Sequence, residues 1–123
     1  MSDYRNLIVW KRAHAFALEV YQSTRSFPDS ERYGLTSQLR RAAISVVSNI
    51  AEGWGRHETR DQVRFLKMAR GSICEVECQL LLSRDVGYLK SSSWERLDSS
   101  CRDIGKMLNG LIRAVSGKKR VDR

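Results

Sequence analysis

The sequence predicts an all-α protein, an antiparallel up-down-up-down four-helix bundle. Three observations lead there. Apolar residues recur at steps of three and four through four segments of roughly 20 to 29 residues each. The 123 residues include one proline and eight glycines, and the glycines fall mainly between the periodic segments, which disfavours a strand-rich chain with many turns. Helices of near-equal length, about 30–43 Å at 1.5 Å per residue, joined by short loops, pack in alternating directions.

The first helix is expected from about Asn6 to Ser26. Leu7, Trp10, Ala17, Leu18 and Tyr21 make one stripe, and Val9, Ala13, Phe16 and Val20 make a second beside it. Pro28 stops it, since proline lacks the amide hydrogen and disfavours helix in the residue before it. The second helix spans about 35 to 54, with Leu35, Leu39, Ala42, Val46 and Ile50 on one face. Thr59 opens the third as an N-cap, with Gln62 completing a capping box. Its core face reads Val63, Leu66, Ala69, Ile73, Val76 and Leu80, and it ends near Gly87. Ser92 and Glu95 suggest a second box at the start of the fourth. There Leu97, Cys101, Ile104, Leu108, Leu111 and Val115 follow the alternating steps of a bundle seam. A single domain, residues 1–116, precedes a basic tail, 117–123, expected to fray.

No segment approaches the ~18 consecutive apolar residues of a membrane span, and the N-terminus lacks a signal-peptide core. A cytoplasmic protein with no membrane association is expected. Three cysteines, Cys74, Cys78 and Cys101, then read as small buried hydrophobes. No metal site and no cofactor are expected, because only His14 and His57 could join the thiols. The net charge is +8. Along the chain the excess is spread evenly and topped by the tail "KKRVDR", a balance that suits a polyanionic partner.

The stretch "SNIAEGWGR", residues 48 to 56, reads first as a helix end. Gly53 or Gly55 is suited to a left-handed C-cap, with Trp54 packing back on the bundle. On a helical wheel the apolar residues of helix 2, from Leu35 to Trp54 and including Ile44 and Ala51, fill an arc of roughly 200°. A bundle helix needs only about 100° to face its own core. That surplus, and the double stripe of helix 1, predict contact with further copies of the chain. Arg41, Ser45, Ser48, Asn49 and Glu52 take the opposite arc. Asn49 and Glu52 lie one helical step apart, placed to hydrogen-bond a neighbouring helix, the next loop or another subunit.

"LTSQLRRAAISVVSNIAEGWGR", followed by "RFLKMARGSICEVECQL", resembles the bacterial family of 23S rRNA intervening-sequence proteins. The accessory variability proteins of diversity-generating retroelements are related to that family. The signatures are QLRRA, SNIAEG and GSxxExE, and the likeness extends from Leu7 to Tyr88. Asn49, Glu52, Gly53, Gly71, Ser72, Glu75 and Glu77 are the motif positions, and a structural role is expected for them. Many members carry proline where this chain has Val47, so a milder kink in helix 2, or none, is expected. The resemblance implies a four-helix bundle assembled as a ring-shaped homopentamer. Retroelement relatives bind nucleic acid and a reverse transcriptase; the intervening-sequence branch has no settled biochemical role.

Catalysis is not expected. His14 shares a stripe with Trp10 and Ala17 and reads as partly buried; His57 reads as a solvated loop residue. Glu75 and Glu77, two apart on a helix, point to opposite sides and cannot share an ion. Glu77 lies instead toward the core side with Arg70, for an internal charge pair or an interhelical bond. No glycine-rich phosphate loop is present. The candidate nucleic-acid-binding residues are Arg56, Arg60, Arg64 and Lys67, joined by Lys118, Lys119 and Arg120. Such residues hold RNA or DNA by its phosphates without reading sequence. Five copies would carry about +40 on one particle. The competing expectation is a protein-interaction scaffold for a reverse transcriptase or a ribosome-associated factor.

Overall fold

A computed structural model describes the backbone of residues 3–121 and the side chains of residues 3–117. Four helices, α1 (Ile8–Thr24), α2 (Leu35–Trp54), α3 (Thr59–Asp85) and α4 (Ser91–Val121), account for most of them. The described residues contain no strand. Each helix packs against its neighbours in sequence, and α1 also meets α4, so the four close into a bundle. The most extensive packing joins α2 to α3.

The helix ends show where local chemistry departs from pattern. Helix α1 starts two residues later than its periodicity suggests. Asp3 accepts the Arg5 amide hydrogen at 2.8 Å and closes a separate 3-10 turn over Tyr4–Asn6, leaving Leu7 extended. It stops at Thr24, whose buried hydroxyl donates to the Val20 carbonyl at 2.8 Å. Helix α2 keeps its expected bounds and passes through Val47 without interruption.

Neither capping box forms. Glu58 holds the N-cap position of α3, and Gln62 donates to the Arg56 carbonyl at 2.9 Å instead of closing a box with Thr59. In α4 the Trp94 amide already bonds to the Lys90 carbonyl at 2.9 Å, so Ser92 lies within the first turn. The left-handed glycine is also elsewhere than expected. Gly55 is right-handed, whereas Gly87 has φ 90°. Tyr88 and Gly87 donate to the Ser83 and Arg84 carbonyls, both at 3.0 Å. That is the Schellman closure, and it frees α3 to reverse into α4 within a few residues.

The core follows the predicted faces, with Phe16, Leu39, Ile50, Leu66, Leu80, Leu97, Ile104 and Leu108 fully buried. The seam of α4 drifts at its end: Ile112 is buried, while Leu111 and Val115 are only partly so. A straight helix turns about 20° per heptad relative to a strict 3.5-residue repeat, which moves the contact round by one residue. Helix α4 extends through Val121, and the last two residues of the tail expected to fray lie outside the described residues.

Gly53 explains how α2 and α3 come so close. A β-carbon there would sit 2.9 Å from Phe65 Cβ and 3.2 Å from the Gln62 carbonyl oxygen. The neighbours are backbone and a β-carbon, which cannot swing away. Gly71, also within a motif, would meet nothing within 4 Å. Gly53→Ala should therefore cost about 1–3 kcal/mol through overpacking. Gly71→Ala should be neutral or gain about 0.5–1 kcal/mol from helix propensity. Urea denaturation of the two variants checks the pair.

Candidate functional site

The sequence motifs resolve into a seam between α2 and α3. Ser45 and Asn49, on the polar arc of α2, are both half-buried, and the Nδ2 bonds of Asn49 stay within its own helix. Asn49 Nδ2 donates to the Ser45 carbonyl at 2.8 Å and to its hydroxyl at 3.0 Å. The Ser45 hydroxyl in turn meets the Ser72 hydroxyl across the helix interface at 2.8 Å. Two motif residues, Asn49 and Ser72, are thus joined through a third, and the small serines let the helices approach.

Other motif residues take separate roles. Glu52 forms an ion pair with Arg56 one turn later. Glu75 accepts from Gln79 Nε2 at 3.4 Å on the exposed face. Glu77 and Arg70 do not pair with each other. Glu77 lies 3.9 Å from Arg102, and Arg70 donates to Asn109 at 3.0 Å. Both reach α4, so the interhelical alternative is the one formed. These exposed links set register more than they add stability.

Two histidine and cysteine expectations change. His14 is exposed, its ring stacked on Trp10 at 4.9 Å and 16°. Cys101 is buried as expected, and its thiol pKa is pushed up by burial and by the nearby Glu77 and Asp98. Cys74 and Cys78, however, are exposed. On α3 they lie opposite Ile73, Val76 and Leu80, which take the core.

Arg60, Arg64 and Lys67 are all exposed along α3. The structure does not make one uniform patch of the four candidates. Arg56 is tied to Glu52, and Arg64 lies 3.9 Å from Asp61. Both guanidiniums also sit over the Phe65 ring, at 4.7 and 4.6 Å from its centroid. Among the described residues no carboxylate pairs with Arg60 or Lys67. Beside them the α2–α3 turn forms a cleft of about 430 Å³ whose lining includes Arg56 and His57 but also Glu52, Glu58 and Asp61. Three carboxylates make this a poor phosphate pocket. The side chains of Lys118, Lys119 and Arg120 lie outside the described residues, although their backbone continues α4. From the Arg70–Asn109 bond, nine residues on along α4 is nine residues back along α3, which places residue 118 level with Asp61.

The fold polarises a charge that is even along the chain. The Ser45–Ser72 contact marks the middle of the bundle, as does Gly105, where an added β-carbon would lie 3.8 Å from Ile73 Cγ2. The half holding the α2–α3 turn comprises residues 3–16, 45–72 and 105–121, with thirteen Lys or Arg and four Asp or Glu. The opposite half, residues 17–44 and 73–104, has eight and nine. One half carries a net +9, three of it from residues 118–120, and the other −1; Arg12 of the first pairs with Asp103 of the second at 3.2 Å across the division. The sequence reading missed this because the signal is a sum over four segments that only the antiparallel fold brings side by side.

Exposed apolar residues show a complementary bias. Among the described residues Leu18, Tyr21, Tyr33, Ile44, Leu81, Leu82 and Val86 belong to the near-neutral half, against Tyr4, Ile8 and Met68 in the basic half. The surplus expected on helices 1 and 2 is present at Ile8, Leu18, Tyr21 and Ile44, and Leu81 and Leu82 near the end of α3 add exposed apolar surface that was not anticipated. Leu35, Leu82 and Val86 line a shallow groove of about 370 Å³ there.

The serine contact gives a direct test. A double-mutant cycle of Ser45→Ala and Ser72→Ala, read by denaturation, should return a coupling of about 0.5–1.5 kcal/mol.

No helix among the described residues is long and apolar enough to cross a membrane. The same residues contain no group of three His, Cys, Asp or Glu side chains able to hold a metal ion. A comparison with curated proteins returned no match. Among solved structures, the chain is similar to the crystal structure of a protein with unknown function from the S23 ribosomal protein family of Bacteroides thetaiotaomicron VPI-5482. The TM-score is 0.78 at 21% identity, covering 86% of this chain and 99% of that one. At that identity the likeness speaks for the fold. The description of the 23S rRNA-intervening sequence proteins matches residues 5–110, the span that contains the α2–α3 seam and all of its motif residues, and the chain belongs to that family.

Proposed function

We propose that the protein is a non-enzymatic nucleic-acid-binding bundle that holds RNA or DNA phosphates on its basic half. The observation that carries this reading is the polarity of charge, +9 on one half against −1 on the other. A field of that shape attracts a polyanion and orients it toward one end. Arg60 and Lys67 are the strongest contact candidates, being exposed and without a carboxylate partner among the described residues. Arg56 and Arg64 would exchange Glu52 and Asp61 for phosphate, and the basic residues 118–120 stand level with them. Contacts of this type neutralise phosphates and release counterions, so affinity falls steeply with salt.

A second feature supports self-association. Tyr33 is 86% exposed, and Leu18, Leu82 and Val86 are each more than half exposed. Copies meeting through the near-neutral half would cover these residues without opposing two basic ends. The ring of five implied by the family resemblance is one such assembly. A different protein seated on the same apolar surface is the rival reading.

Fluorescence anisotropy with labelled RNA and DNA at rising salt tests the first proposal. Arg60→Glu with Lys67→Glu should weaken binding at least tenfold near 50 mM salt and flatten the salt slope. Arg25→Glu with Arg32→Glu, on the other half, should change it less than twofold. Equal effects from the two pairs, or binding indifferent to salt, would remove the proposal. Light scattering tests the second: the wild type should exceed monomer mass at micromolar concentration, and Leu82→Glu with Val86→Lys should lower it. A wild-type monomer would remove self-association.

A further inference from the structure

We propose that Cys74 and Cys78 form a two-thiolate site on the solvent face of α3 for a soft, filled-shell monovalent cation, with copper(I) as its representative. Both thiols are exposed, and they stand four residues apart in one uninterrupted helix. Side chains so spaced lie one above the other, with β-carbons about 5–6 Å apart. A disulfide needs a separation of about 3.5–4.5 Å, so the pair cannot close on itself without unwinding the helix. Two metal–sulfur bonds of about 2.3 Å in line span about 4.6 Å, a sulfur separation that rotation about χ1 can reach. The helix therefore disfavours oxidation of the pair while suiting a shared ion.

Coordination number selects the ion. No third His, Cys, Asp or Glu converges on the thiols among the described residues. Glu75 is hydrogen-bonded to Gln79, Glu77 faces Arg102, and Cys101 is enclosed in the core. Zinc requires four ligands and calcium or magnesium six or more, largely hard oxygen. Copper(I) favours soft thiolate and is content with two donors in line. On binding, each S–H gives up its proton as its metal–sulfur bond forms. Two protons are released, copper remains monovalent, and the bis-thiolate complex carries one negative charge. Approach is open, because Gly71, one turn before Cys74, leaves nothing within 4 Å of where its β-carbon would be.

The test is an anaerobic titration of the reduced full chain with copper(I) against a chromophoric copper(I) chelator. One equivalent should bind per chain, and the two fast-reacting thiols toward an aromatic disulfide reagent should disappear together. Cys74→Ser and Cys78→Ser should each weaken binding on the order of 100-fold or more, since a chelate becomes a single contact. Cys101→Ala, with its helix content checked by circular dichroism, should bind like the wild type. Serine variants that bind as tightly as the wild type would overturn the site. So would a doubling of mass on loading, which would mean the ion bridges two chains.

Discussion

The near-contact between α2 and α3 is the constraint on which the rest of the molecule depends. At Gly53 the two helices come close enough that a single added carbon would meet Phe65 and the Gln62 carbonyl. Two turns away, Ser45 and Ser72 join hydroxyls across the same interface, with Asn49 holding Ser45 from one turn later. Small residues thus set the spacing, and a short polar chain sets the register. Three of the motif residues, Asn49, Gly53 and Ser72, are accounted for by this seam. A helix pair fixed at that distance and register then dictates where α1 and α4 lie on either side.

The up-down arrangement also converts an even charge into a directed one. Each helix end is modest on its own, but the antiparallel fold gathers the start of α1, the α2–α3 turn and the end of α4 into one half. Several of the carboxylates there are engaged, Glu52 with Arg56 and Asp61 beside Arg64. Such exposed pairs are weak and exchangeable, so they temper the field without cancelling it. The other half keeps its charges balanced and carries most of the exposed apolar side chains among the described residues. A molecule divided this way presents one strongly basic end and one near-neutral end.

The similar solved structure agrees on architecture, and neither it nor the family match speaks to chemistry. The family match covers residues 5–110, and the similar crystal structure is itself described as having unknown function. The physical features of this chain therefore carry the functional argument: the polarised charge, the exposed leucines, and the outward thiols of α3. Tyr88 illustrates how local bonds support these surfaces. Its hydroxyl donates to Glu31 at 3.0 Å, and that carboxylate raises the phenol's pKa. Glu31 also accepts the Leu35 amide hydrogen at 3.1 Å, so it links the entry of α2 to the α3–α4 turn. Glu31 and Leu35 also line the groove that includes Leu82 and Val86.

The sequence by itself determined the fold class, the bounds of α2 and nearly all of the core, because apolar periodicity is a local code repeated over many turns. Arg60, Arg64 and Lys67 were legible as an exposed basic stripe for the same reason. Tertiary structure decided what depends on distance between segments. Ser45, polar on the wheel, became an interface residue because Ser72 stands opposite. Cys74 and Cys78, small and apolar by type, turned outward because Ile73, Val76 and Leu80 had already taken the core side of α3. The capping boxes failed where a neighbouring group offered another bond, as the Arg56 carbonyl does to Gln62. Spacing along the chain fixes which residues share a helix face, but only packing fixes what that face meets.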